Sequence, residues 1–157
     1  MASVAPSAAA GQRFLLAVCG LHLRGQPLNH QLTSLQSTFV RECRSAQEYK
    51  LYAFTDAAGR TKPGMVAVTD GSGAAVHLEV WDMPIENFGR FMLQVPPPLG
   101  IGTVKLEDGG SVNGFICEAW VAEACRQGDA SVEDITHLGS WLPYVERQVA
   151  RAAGQQG

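Results

Sequence analysis

The chain has 157 residues, 46% of them hydrophobic and 17% charged, with a formal net charge of -3. Such a chain fits one globular domain that can bury a core without metal or disulfide. The slight acidity and the absence of a basic run argue against a nucleic-acid partner. No apolar run approaches the roughly 20 residues that span a bilayer, so no membrane partner is expected.

In chain order, "MASVAPSAAAGQ" is too polar and too rich in proline and alanine for a signal peptide, and residues 1–12 read as a disordered leader. The compartment expected from this is reducing and cytoplasmic, with Cys19, Cys43, Cys117 and Cys125 as free thiols. The four are far apart with no CxxC pair, which disfavours zinc. Three of them, Cys19, Cys43 and Cys117, sit in apolar patterns and read as core filler.

The run "FLLAVC", 14–19, predicts a buried strand. Leu28, Leu32, Leu35, Phe39 and Cys43 follow at steps of 4, 3, 4 and 4, which predicts one face of a helix. "YKLYAF", 49–54, predicts a strand, and "AAGRTKPG" a turn punctuated by Pro63 and Gly64. "MVAVT", 65–69, and "VHLEVWD", 76–82, predict a hairpin across "DGSG". Pro84 suits the first position of a helix with Ile85, Phe88, Phe91, Met92 and Val95 as its stripe, ended by the prolines at 96–98. "LGIG" reads as a loop, "TVKLE" and "VNGFICEAW" as a second hairpin around "DGG", and "RQGDASVED" as another loop. A last helix over 140–152 carries Trp141, Val145 and Val149, with Ser140 as N-cap, and 153–157 is a frayed tail. The domain is thus 13–152. Its order of strands and helices predicts an α+β fold, with a small mixed, mostly antiparallel sheet curled towards a β-barrel and helices packed outside.

The segment "CGLHLRGQPLNHQL" is the strongest candidate for chemistry. Gly20 and Gly25 permit close backbone approach, and N–H groups in a turn that leads into a helix start form an anion-binding concavity. Asn29 and His30 lie near that positive helix end. Arg24 suits a bidentate grip on a carboxylate, and His22 suits general acid–base work near neutral pH. The plainer reading is a connector whose polar residues satisfy backbone groups. His30 falls off the apolar stripe, as a surface or cap-adjacent histidine would; His77 and His137 carry no spacing signal. No HxH or HxxxH set supports a metal. Glu79 and Glu118 each face away from their apolar strand neighbours, towards either a pocket or solvent. GxSxG, Walker and GxGxxG signatures are absent.

"GLHLRGQPLNHQL", "KPGMVAV", "EVWDMPIENFGRFM", "VPPPLGIGTVKLEDG", "VNGFICE" and "EDITHLGSW" together resemble the C-terminal domain of allophanate hydrolase, in order, from about Phe14 to Tyr144. The resemblance implies a gamma-glutamyl cyclotransferase-like fold and, as the family's chemistry, conversion of N-carboxycarbamate to ammonia and carbon dioxide. It implies a catalytic histidine, carried to His22 in the Gly-x-His-Leu-x-Gly block rather than to His30. With the residue reading it gives Gly20, Leu21, Arg24, Gly25, Asn29 and Glu118 as the substrate-binding set. No metal or cofactor is expected. In the family this domain follows an amidase, whose Gly-Ser-Ser-rich nucleophile region has no counterpart here. The expected partners are therefore a small carboxylate-bearing molecule and either an amidase or a second copy of the chain. Two alternatives stay open: a non-catalytic small-acid-binding or assembly module partnering an amidase, and a gamma-glutamyl cyclotransferase-like enzyme. The cyclotransferases resemble this fold but use a Tyr-Gly-Ser loop and a glutamate base; this chain has Cys19-Gly20-Leu21 and "VPPPLGIG" there, which disfavours that activity.

Overall fold

The computed structural model describes residues 11–156. Residues 1–10 of the expected leader lie outside them. The described chain runs β1 (Arg13–Val18), α1 (His30–Thr33), β2 (Thr38–Arg44), β3 (Tyr49–Thr55), β4 (Thr61–Ala67) and β5 (His77–Pro84). It continues through α2 (Phe88–Met92), β6 (Leu99–Lys105), β7 (Ser111–Cys117), α3 (Trp120–Arg126), β8 (Val132–Asp134) and α4 (Trp141–Gly154).

Leu16, Ala17 and Val18 are apolar in succession, and such a run is stable only when both faces of the strand are covered. All three are buried, and β1 is accordingly the centre of a five-stranded sheet of order β2-β5-β1-β7-β6. Among the described residues of this sheet only the β1–β7 pair is parallel; the β1–β5, β2–β5 and β6–β7 pairs are antiparallel. A second, antiparallel sheet has the order β4-β3-β8. The two meet where β4 lies against β7. Gly64 makes that approach possible, because a Cβ there would stand 2.7 Å from the Cys117 Sγ. The α+β, mostly antiparallel reading is therefore correct, but the sheets do not close into a barrel.

The main core gathers Leu16, Leu51, Met65, Leu78, Phe91 and Ile135, with Trp141 and Tyr144 of α4 packed against it. Ser140 caps α4 as expected, its hydroxyl accepting from the Leu142 N–H, and the helix runs to Gly154 rather than stopping at 152.

Several local readings are corrected. The helix expected from Leu28 to Cys43 is one short turn, α1, followed by strand β2. Gln36 sits at φ 61 and breaks the helical path, after which Thr38, Phe39 and Val40 favour an extended chain. The expected hairpin across "DGSG" does not form. Its first arm, β4, pairs with β3, and its second, β5, crosses to the other sheet between β1 and β2. Pro84 ends β5 and stands at the N-cap of a 3-10 turn, Ile85–Asn87, rather than inside the helix; the turn leads straight into α2, which stops at Met92, short of Val95. "LGIG" belongs to β6, paired with β7, and the "RQGDASVED" segment takes in the end of α3 and all of β8. The "TKPG" residues are strand, not turn: Pro63 is tolerated because β4 is an edge strand.

Candidate active site

β1 ends at Val18 and the chain turns at Gly20, where Leu23 N–H donates to the Gly20 carbonyl at 3.0 Å. The loop is braced from inside. Leu28 N–H reaches the Leu21 carbonyl at 2.8 Å, and the Asn29 amide donates to the His22 carbonyl at 2.8 Å. Leu23 is fully buried and pins the turn to the core. Gly25 takes φ 79, a conformation that glycine adopts without strain.

This loop forms one wall of a cleft of about 350 Å³. Gly20, Leu21 and His22 line it, together with Leu28 and Gln31. The opposite wall comes from β4 and the turn before it, through Arg60, Thr61, Lys62 and Pro63. Val95, Pro96, Leu99 and Phe115 close the rest. Gly20 fits because a Cβ there would lie 2.0 Å from the Pro63 Cγ, so glycine lets loop and strand touch.

The His22 imidazole is buried, stacked on Phe115 at 5.1 Å between ring centroids and edge-on to Phe91 at 5.2 Å. Its Nε2 and the Gln31 Oε1 are 2.8 Å apart. With that oxygen as acceptor, Nε2 carries the proton and Nδ1 presents a lone pair. Burial pushes the imidazole below its ordinary pKa; the Gln31 hydrogen bond opposes this, while the nearby His30 and Lys62 charges add to it. The ring is therefore neutral near pH 7. Lys62 has only 11% of its side chain exposed and reaches Asp56 at 3.5 Å. Asp56 also accepts from the Arg60 and Ala58 N–H groups at 2.9 Å each, and these bonds, led by that from Arg60, hold its carboxyl below the usual range. One anion thus orders the turn that carries Arg60 and also pairs with Lys62 on β4. Cys19 also lines the cleft, but burial pushes its thiol up to about 12, so it is a thiol and no nucleophile near neutrality.

Of the residues expected from the sequence, Gly20, Leu21 and His22 come together in the cleft. Arg24 does not join them. Its Nε–H donates to Glu79 at 2.9 Å, its Nη2 reaches Glu42 at 3.1 Å, and its guanidinium lies 3.7 Å from the centre of the Phe39 ring. Gly25 shapes the exposed turn and Asn29 braces the loop; neither lines the cleft. Glu118 is exposed and accepts from the Trp120 indole at 2.9 Å. His30 is exposed at the start of α1, with Nδ1 3.0 Å from the Pro27 carbonyl. The anion cradle expected of a helix start is a single turn with no residue of α1 but Gln31 in the cleft. Arg60, Lys62 and Gln31 also line the cleft, and the sequence does not single them out: the first two fall in the turn-like "AAGRTKPG" segment, and only a strand starting at Thr61 aims Lys62.

Comparison with known proteins agrees with this architecture. Residues 14–146 match the model of the allophanate hydrolase C-terminal domain family. The chain is 40% identical over 131 residues to the urea amidolyase of Lachancea kluyveri, a match covering 83% of this chain and 7% of that protein. It thus spans only a small part of the curated relatives it matches. Among solved structures it is similar to the Kluyveromyces lactis allophanate hydrolase, with 40% identity and a TM-score of 0.78 over 87% of this chain and 21% of that one. A uropathogenic E. coli-specific protein matches with 36% identity and a TM-score of 0.74 over 86% of this chain and 97% of its own. A gamma-glutamyl cyclotransferase, 13% identical with a TM-score of 0.52 over 68% of each chain, shares the fold alone. Among the described residues, no helix is long and apolar enough to cross a membrane. This chain belongs to the allophanate hydrolase C-terminal domain family.

Proposed function

We propose that the cleft binds N-carboxycarbamate, or a related small carboxylated urea derivative, and decarboxylates it with His22 as the proton donor and acceptor. The observation that carries this reading is the shared cleft of a buried neutral imidazole and two cations, Lys62 and Arg60. N-carboxycarbamate has a carboxylate at each end of a central nitrogen. Lys62 and Arg60 supply charge-assisted hydrogen bonds to hold one end. The dianion also raises the proton affinity of the imidazole beside it, so binding draws a proton onto a ring that is neutral when the cleft is empty. As one carboxyl carbon leaves as carbon dioxide, the electron pair of its C–N bond stays on nitrogen, and His22 delivers a proton there. The product carbamate takes a further proton and falls apart to ammonia and carbon dioxide. The relatives are larger proteins named urea amidolyase and allophanate hydrolase. Their names point to an amidase as the source of this substrate, on the same chain or a partner.

The test supplies allophanate and a separate amidase that makes the unstable substrate in situ, and follows carbon dioxide release. The domain accelerates release over the amidase alone, and His22→Ala loses about 100- to 10,000-fold of that acceleration, the range of general acid–base catalysis. A wild-type domain that adds nothing to the background sinks the reading. A fully active His22→Ala protein removes the histidine from it.

A further inference from the structure

Among the described residues, Glu79 is the one buried acidic side chain, and the chemistry above leaves it idle. Three donors converge on it. Arg24 gives its backbone N–H to Oε1 and its Nε–H to Oε2, both at 2.9 Å, and the Trp81 indole adds a longer bond to Oε1 at 3.3 Å. We propose that Glu79 is a positioning residue for His22: by clamping Arg24, two residues further on, it fixes the loop so that the imidazole faces the cleft. The catalytic meaning of this clamp rests on the His22 reading given above.

The geometry of the clamp is specific. One carboxylate binds the main chain and the side chain of the same residue, so no sliding of the loop satisfies both bonds. β5 holds Arg24 through Glu79, while β2 holds it through Glu42 and the Phe39 ring. An exposed ion pair by itself does little to order a loop. Here the acceptor is buried, and a loosened loop would leave that charge with only the longer Trp81 bond. Leu23 and Asn29 anchor the same loop independently, so the plain alternative is that they suffice.

Glu79→Gln keeps the shape of the side chain but cannot accept both Arg24 bonds. Two readouts follow: the His22 imidazole titrated by proton–carbon NMR, and kcat against KM. In the wild type the groups bearing on His22 are Gln31, His30 and Lys62. As the clamp opens and the ring loses burial, His22 titrates at higher pH, closer to its ordinary value. In turnover, kcat falls about tenfold or more through misplacement of the donor, and KM stays within about threefold because Lys62 and Arg60 are untouched. Trp81→Phe, which removes the longest bond along with some packing against Phe39, gives a smaller change of the same sign. Should Glu79→Gln fail to fold, Arg24→Gln reads the same clamp from its exposed side. An unchanged His22 titration with unchanged kcat and KM, whatever happens to the melting temperature, makes Glu79 merely structural and overturns the proposal. A displaced titration in a domain whose wild type turns nothing over upholds the positioning and rejects the decarboxylation.

Discussion

Arg24 stands two residues from His22, and Lys62 stands on another strand far along the chain; yet Lys62 shares the cleft with the histidine and Arg24 does not. The two cations also differ in their partners. Arg24 is raised above its ordinary pKa, chiefly by the hydrogen bond to Glu79, and two carboxylates and an aromatic ring claim its guanidinium. Lys62 has one carboxylate, Asp56, at a looser 3.5 Å, and its chain lies in the cleft wall. A cation already satisfied by two anions has little left to offer a third, whereas one held by a single carboxylate at 3.5 Å can still turn to a guest. Closeness in sequence marks the loop that lines the cleft, but not the cation that shares the cleft with it.

The sharpest way to break this contrast is to remove each cation in turn. Lys62→Met takes away one charge-assisted hydrogen bond to substrate, so kcat/KM falls about 10- to 100-fold, mostly through KM. Arg24→Gln leaves KM within about threefold and acts on kcat, through the loop. The reverse pattern would restore Arg24 as the carboxylate fork that its position beside His22 suggests.

The next effect concerns the contact that brings the two walls together. In Gly20→Ala the new methyl would sit 2.0 Å from the Pro63 Cγ and 2.7 Å from its Cδ. Loop and strand then part, at a cost of about 1–3 kcal/mol for overpacking, read as a lower midpoint in urea. Gly25→Ala meets no neighbour and pays only for its left-handed backbone, so its effect is smaller. An equal loss at both positions would mean that the Gly20–Pro63 contact does not hold the cleft.

The smallest effect is on stability against pH. His22 has a folded pKa below its ordinary 6.5. The unfolded chain therefore takes up its proton first. The stability linked to a neutral His22 is complete above about pH 6.5 and declines as pH falls through that value towards the lowered folded one. Melting temperatures measured from about pH 7.5 down to about pH 5 fall more steeply for the wild type than for His22→Gln. Parallel curves would mean that the ring is free to protonate where it stands.

The legible and illegible parts of the molecule follow the same physics. β1 was readable because an uninterrupted apolar run has few fates, and α4 because Ser140, Trp141 and Val145 mark its cap and face. The stretch from Leu28 to Cys43 misled because apolar residues at helical spacing describe α1 and then fall by accident on a strand whose partner, β5, is remote. Lys62 was hidden for a related reason. Pro63 and Gly64 are turn residues by local preference, and only the β3 register, with Phe54 opposite Lys62 and Ala53 opposite Pro63, makes them strand. From sequence Glu79 faces either a pocket or solvent, and the structure gives it a third fate, a buried clamp on Arg24. Pairing between distant segments decided each case, and local propensity carries no record of it.

The central claim is that His22, with Lys62 of β4 and Arg60 just before it, receives one small dianion. Malonate, in which a methylene replaces the central nitrogen, tests it without turnover: His22 is titrated by NMR with and without saturating malonate. The account predicts that malonate moves the His22 titration to higher pH in the wild type and much less in Lys62→Met. A His22 titration that malonate leaves in place, in a protein whose spectrum shows it bound elsewhere or not at all, would contradict it.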